Sequence, residues 1–91
     1  MGNYAYMLRC ADGSLYSGWT NDPVKREAKH NSGTGSRYTR TRRPVKIVYL
    51  EEFDTKIEAM KREYALKQLS KTEKERLVRE YSMKCTEAGI K

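Results

Sequence analysis

Two aromatic-rich runs, Tyr4–Cys10 and Ser14–Trp19, flank the tripeptide Ala11-Asp12-Gly13. Apolar, β-prone residues on either side of a short turn signal specify an antiparallel hairpin. Two turns satisfy these residues. A two-residue Asp12-Gly13 loop pairs Ala11 with Ser14 and sets Tyr6 opposite Trp19 and Tyr16 opposite Arg9, on different faces. A three-residue loop, with Gly13 in the left-handed region, pairs Cys10 with Ser14. Tyr6 then lies opposite Gly18 and Leu8 opposite Tyr16, so that Tyr6 and Tyr16 share a face; one residue of register separates the two outcomes. The local sequence leaves both open. In the second, Gly18 has no side chain opposite Tyr6, which leaves room for the backbone of a substrate.

The rest of the chain reads as helices around one further strand. Asp22-Pro23 is an N-cap followed by a proline at the first helical position, and Asn31 with Gly33 supplies the stop. Val24 and Ala28 are expected to face the core, with Arg26 and His30 stacked on a neighbouring face at i,i+4. Ser32 to Pro44 reads as loop throughout. Val45 to Phe53 carries apolar residues on both faces, as in an interior strand. Thr55 and Glu58 form a capping box for a second helix, with Ile57, Met60, Tyr64 and the stem of Lys67 as its inner stripe and Ala59, Glu63 and Leu66 at the border. Ser70 and Glu73 repeat the signature and open a third helix anchored by Leu77, Val78 and Tyr81, with Leu69 in the joint. The predicted order is β-β-α-β-α-α, an α+β fold with a small, three-stranded, mainly antiparallel sheet flanked by helices. One domain over 1–82 with a frayed tail over 83–91 is expected, because 91 residues hold one core.

Composition narrows the function. No apolar run approaches the roughly 20 residues of a membrane span, and the N-terminus lacks the order of a secretory signal, so a cytoplasmic protein without membrane contact is expected. Position 6 is Tyr where a myristoylation signal has Ser or Thr. Cys10 and Cys85 read as two free thiols, and with a single His they do not make a zinc site. Nineteen Lys and Arg against twelve Asp and Glu give a net charge of +7, which suits a polyanionic partner. The stretch Ser36-Arg37-Tyr38-Thr39-Arg40-Thr41-Arg42-Arg43 concentrates that charge, and Arg37, Arg40, Arg42 and Arg43, with Lys25, are candidate nucleic-acid contacts. Gly33 to Ser36 lacks the lysine of a phosphate loop, and one His with no Ser on a strand-turn-helix excludes a serine triad.

Several residues can carry chemistry. A tyrosine accepts or passes a proton at a phosphate once its pKa, ordinarily near 10, is lowered by a cation or a metal. Arg26 can grip a phosphate with its planar fork, and His30 on the same face can orient it or share in proton transfer. Glu63 has an ordinary partner in Lys67 at i,i+4, as Glu58 has in Arg62. Beside the core, it can also hold a divalent cation whose remaining shell is water and phosphate oxygen.

These residues, taken in order, resemble the GIY-YIG nuclease family, most closely its short stand-alone bacterial members. Tyr4-Ala5-Tyr6 stands for the first motif and Tyr16-Ser17-Gly18 for the second. Lys25-Arg26 and His30-Asn31 match the helix motif, Tyr38 the loop position, and Glu63 the acidic position of the second helix. The match runs over residues 4 to 69. Tyr4 and Ala5 replace the initial Gly and Ile, and Ser17 the Ile of the second motif, without removing a reactive side chain. The resemblance implies the three-residue hairpin, with both tyrosines in one site. It implies hydrolysis of a phosphodiester, in DNA, with a single Mg²⁺ or Mn²⁺ on Glu63 and Arg26 on the scissile phosphate. Tyr6 would take the proton of the attacking water, and Tyr16, His30 and Tyr38 would complete the network. Such nucleases usually carry a separate DNA-binding or partner-binding domain, for which 91 residues leave no room. The alternatives are therefore a non-catalytic nucleic-acid-binding module, or a protein-interaction domain on the same scaffold, with a partner protein supplying specificity.

Overall fold

The computed structural model describes residues 2–87. The elements are β1 (Asn3–Arg9), β2 (Leu15–Thr20), α1 (Pro23–Asn31), α2 (Arg37–Arg40), β3 (Lys46–Phe53), α3 (Lys56–Gln68) and α4 (Lys71–Glu87). The predicted order holds, with one addition. Part of the expected loop is a short helix, α2, because Ser36 caps it by accepting from the Thr39 N–H at 3.1 Å. Helix α4 continues through Glu87, since Cys85 extends the Leu77–Tyr81 spacing by another turn; the remainder of the expected tail lies outside the described residues.

The hairpin takes the three-residue turn. Cys10 N–H donates to Ser14 O and Gly13 N–H to Cys10 O, each at 2.9 Å, and Gly13 has φ +86°. Tyr6 consequently pairs with Gly18 and Leu8 with Tyr16. The sheet is three-stranded and antiparallel in the order β2-β1-β3. The strand expected in the interior, β3, is therefore an edge, and β1 is central. Its two-faced apolar pattern has another cause. Met7 pairs with Tyr49 but Leu8 with Ile47, so Val48 is an extra residue and the alternation of β3 changes phase there. Tyr49 then joins Ala5, Met7 and Leu66 on the layer beneath α3 and α4, while Ile47 and Leu50 join Tyr6, Leu8, Cys10 and Val45 on the opposite face.

Capping follows the sequence at three helices. Asp22 accepts from the Lys25 N–H at 3.1 Å. Thr55 and Glu58 make the full capping box, and Ser70 and Glu73 exchange bonds of 3.0 and 3.2 Å. The inner faces are less well anticipated. On α3 the buried residues are Ala59 and Leu66, whereas Ile57, Met60 and Tyr64 are 64%, 42% and 68% exposed. The small side chain of Ala59 lets the helix approach the sheet closely, and that rotation turns the expected stripe outward. Burying Leu66 fully contributes about 1.5–3 kcal/mol. Arg62, expected to pair with Glu58, turns inward to Glu51 at 2.9 Å and to the Tyr49 hydroxyl at 3.3 Å, since Glu58 is occupied in the cap. On α1, Val24 and Ala28 are exposed and the inner face is polar: Glu27 accepts from the Ile47 N–H at 2.7 Å, and His30 is buried. That polar face brings ionisable groups to the sheet. Both cysteines are free.

Candidate phosphodiester site

The site is built from the residue with least room. Tyr6 is 1% exposed, and its phenol lies over Gly18 on the neighbouring strand. A Cβ at position 18 would stand 2.5 Å from the Tyr6 hydroxyl oxygen. The space expected for a substrate backbone is thus filled by Tyr6 itself, and Gly18 serves to admit that ring. The hydroxyl lies 3.0 Å from Nε2 of His30, which α1 buries to 1% exposure. The other ring nitrogen, Nδ1, lies 2.8 Å from Thr39 Oγ1.

Tyr16 projects from β2 on the same face. Its ring is edge-on to His30 at 5.3 Å between centroids and stacked on Tyr38 at 5.8 Å. Tyr38 in turn carries the Arg42 guanidinium 4.0 Å from its ring centre. The hairpin, α1 and α2 are joined through these aromatic contacts.

Arg26 and Glu63 reach the same hydroxyl electrostatically. The Tyr6 pKa is raised, chiefly by burial, then by Tyr16; Glu63 adds to the rise, while the Arg26 guanidinium opposes it by charge and hydrogen bonding. This reverses the expected direction, because enclosure outweighs the single nearby guanidinium. At neutral pH Tyr6 is a phenol and not a phenolate. His30 is shifted downward, first by burial and then by Arg26 and Lys29, so it is a neutral imidazole with a lone pair to offer. Glu63 belongs to α3, which packs on β1 and β2, and its charge contributes to the raised Tyr6 pKa. Its side chain is 22% exposed and pairs with Lys67 at 3.4 Å.

Among the described residues, no group of three or more His, Cys, Asp or Glu converges to hold a metal. A cation at Glu63 would accordingly draw most of its shell from water and phosphate oxygen, as Mg²⁺ commonly does. The donor chemistry fits that ion and excludes a closed structural zinc site.

The basic residues divide by role. Arg42 donates to Asp12 at 3.0 Å and to the Tyr38 carbonyl at 2.9 Å; Arg43 donates to the Arg40 and Asn31 carbonyls at 2.9 and 3.3 Å. Both, expected to contact nucleic acid, are also engaged in pinning the loop. Among the described residues, no ion pair or side-chain hydrogen bond holds Arg37 or Arg40. Lys25, Arg26 and Lys29 line a groove of about 200 Å³ with Thr20, Asn21 and Asp22 at the start of α1. Sequence reasoning overlooked Gly35, Ser36 and Thr39. The signal is present as a Ser N-cap with Thr three residues on, inside a stretch read as a basic loop.

Comparison with known proteins agrees with this geometry. The family model described as the GIY-YIG catalytic domain matches residues 2–76. A UPF0213 protein of Staphylococcus saprophyticus is 53% identical over 78 residues, spanning 86% of this chain and 95% of that one. A UPF0213 protein of Halobacterium salinarum is 49% identical over 75 residues, 82% of this chain and 97% of that one. The solution NMR structure of a UPF0213 protein from Bacillus halodurans superposes with a TM-score of 0.55 at 49% identity, covering 86% of this chain and 83% of that one. A solution NMR structure from E. faecalis gives a TM-score of 0.60 at 41% identity, covering 91% and 88%. Matched by that family model over residues 2–76, the chain belongs to the GIY-YIG domain family.

Proposed function

We propose that the protein binds nucleic acid across the face bearing Tyr16, Arg26 and Tyr38, and hydrolyses a phosphodiester of DNA at the Tyr6 hydroxyl. The observation that carries this is geometric: the buried Tyr6 hydroxyl lies 3.0 Å from His30 Nε2, with Tyr16 edge-on to the same imidazole and stacked on Tyr38. Arg26 holds a phosphate oxygen and offsets the charge that grows on it in the transition state. Glu63 would hold a divalent cation, which when bound supplies Lewis-acid polarisation of the phosphate and a more acidic water. Tyr6 is too weak an acid to wait as phenolate, so it works as one unit with His30. The attacking water forms its bond to phosphorus and passes its proton to the Tyr6 oxygen. The phenolic proton moves to His30 Nε2 at 3.0 Å. The opposite P–O bond breaks and its oxygen takes a proton from solvent. Tyr16 and Tyr38 orient the strand, and Lys25, Arg37 and Arg40 contact its backbone.

Two observations favour a second reading, binding without cleavage. Among the described residues no group of three or more His, Cys, Asp or Glu is placed to hold a metal, and the Tyr6 pKa is raised and not lowered. One paired assay separates them. Purified protein is incubated with Mg²⁺ or Mn²⁺ and single-stranded, duplex and branched DNA, with RNA alongside. The proposal expects product from at least one DNA, lost in Glu63→Gln and in Arg26→Ala. No Glu63-dependent product overturns cleavage, and a salt-dependent mobility shift that survives supports the binding domain. Product from RNA alone overturns the choice of DNA.

A further inference from the structure

Ser36 and Thr39 have no part in the steps above, yet they are enclosed with the centre. Thr39 is 0% exposed; its Oγ1 lies 2.8 Å from His30 Nδ1 and 2.9 Å from Ser36 Oγ. Ser36 Oγ also accepts from the Thr39 N–H at 3.1 Å. Gly35 packs on the same imidazole, where a Cβ would fall 2.2 Å from Nδ1. The segment from Gly35 to Thr39 thus grips the ring nitrogen that faces away from Tyr6.

A neutral imidazole has one donor nitrogen and one acceptor nitrogen, so the chain of contacts has two possible directions. In the first, Tyr6 donates to Nε2, Nδ1–H donates to Thr39 Oγ1, and the Thr39 proton passes to Ser36, at Oγ or at its carbonyl 3.4 Å away. Every proton has an acceptor. In the second, Thr39 donates to Nδ1, and Nε2–H donates to Tyr6. The Tyr6 proton must then find another acceptor; Arg26, the other group that hydrogen-bonds the hydroxyl, has only donors, while Tyr16 and Glu63 act on it through charge alone. At 1% exposure that leaves a buried O–H unpaired, the costlier state.

We propose that Ser36 and Thr39 set the tautomer of His30: Thr39 accepts the Nδ1 proton, so the Nε2 lone pair faces the Tyr6 hydroxyl and receives the proton the phenol gives up. Thr39 is a positioning residue, acting through His30 without touching substrate. The catalytic consequence rests on the proposed cleavage; the tautomer does not.

His30 is the only histidine of the chain, so one imidazole reports the answer. In long-range ¹H–¹⁵N spectra of histidine-labelled protein above the titration of His30, the nitrogen coupled to both ring protons is Nε2. It is expected to be unprotonated in the wild type, with the proton on Nδ1. Thr39→Val removes the acceptor and is expected to move the ring to the Nε2–H form, while Thr39→Ser keeps the wild-type form. On a cleaved DNA, Thr39→Val lowers kcat about 10- to 100-fold, the range for a group that orients a functional histidine, with KM unchanged and Thr39→Ser restored. A protonated Nε2 in wild type, or an unchanged tautomer in Thr39→Val, overturns the proposal. If Thr39→Val does not fold, wild type and Thr39→Ser still decide it, since Nε2–H in either contradicts it. Loss of all cleavage in wild type overturns the proposed function and leaves the tautomer result standing.

Discussion

Replacing Gly18 with Ala tests how tightly the centre is built. The added Cβ would stand 2.5 Å from the Tyr6 hydroxyl oxygen and 2.6 Å from its Cζ. Carbon in unstrained contact needs about 3.5 Å, so ring and strand must separate by roughly 1 Å. Little space is available for that movement, because Tyr6 is 1% exposed and its hydroxyl is held 3.0 Å from His30. Overpacking of this kind costs about 1–3 kcal/mol. In a domain of this size each kcal/mol lowers Tm by about 4–8 °C. A displacement of about 1 Å in a reacting group costs on the order of 100-fold in rate. Thermal unfolding followed by circular dichroism reads the first effect, and cleavage of the best DNA substrate the second. The expected result is a clearly lower Tm and a rate down about two orders of magnitude in the folded variant. A Gly18→Ala protein that melts with the wild type would refute the packing of Tyr6 on Gly18. A lower Tm with an unchanged rate would refute the claim that the phenol's position matters to the reaction.

Other consequences follow from charge. The His30 pKa is lowered in the folded state, so stability is unaffected above the ordinary imidazole value of about 6.5. As pH falls below it, the unfolded chain binds a proton the folded one refuses, and stability declines towards the folded pKa; His30→Gln removes that slope in urea titrations. Glu75, held at about 2 by hydrogen bonds from Arg9 and then Lys71, behaves oppositely: its contribution persists above its ordinary 4.5 and is lost as pH falls through the range down to the folded value. The arginines separate by assay: Arg42→Ala, which breaks the Asp12 and Tyr38 contacts, costs about 1 kcal/mol in denaturation. Arg37→Ala and Arg40→Ala leave stability within about 0.5 kcal/mol and each reduce the salt slope of DNA binding by about 1.

How much of this the chain discloses depends on the kind of signal. Caps are local, and Asp22, Thr55 with Glu58, and Ser70 with Glu73 act as their spacing indicates. The hairpin register has two local solutions, and the Cys10 N–H bond to Ser14 O, with Gly13 alone among the turn residues at positive φ, selects the three-residue turn. Helix faces were misjudged where burial departs from hydrophobicity. α1 turns Glu27 and His30 inward in place of Val24 and Ala28, because its contacts with the sheet are hydrogen bonds. α3 exposes Ile57, Met60 and Tyr64, because Ala59 sets the line of close approach. Glu63 and Arg26 could be named from their places in the chain, but their effect on Tyr6 depends on how α1 and α3 pack on the sheet. The direction of the Tyr6 pKa was equally beyond local pattern, since it depends on enclosure by β2 and α1. Among the described residues no helix is long and apolar enough to cross a membrane, as the hydropathy of the chain indicates.

The decisive measurement is a double-mutant cycle on the rate of metal-dependent DNA cleavage, with wild type, Arg26→Ala, Glu63→Gln and the pair. Two groups serving one reacting phosphate act as a unit, so the double variant should be hardly slower than the worse single one. Losses that multiply would place Arg26 and Glu63 at separate tasks, and cleavage indifferent to Glu63→Gln would contradict the shared centre outright.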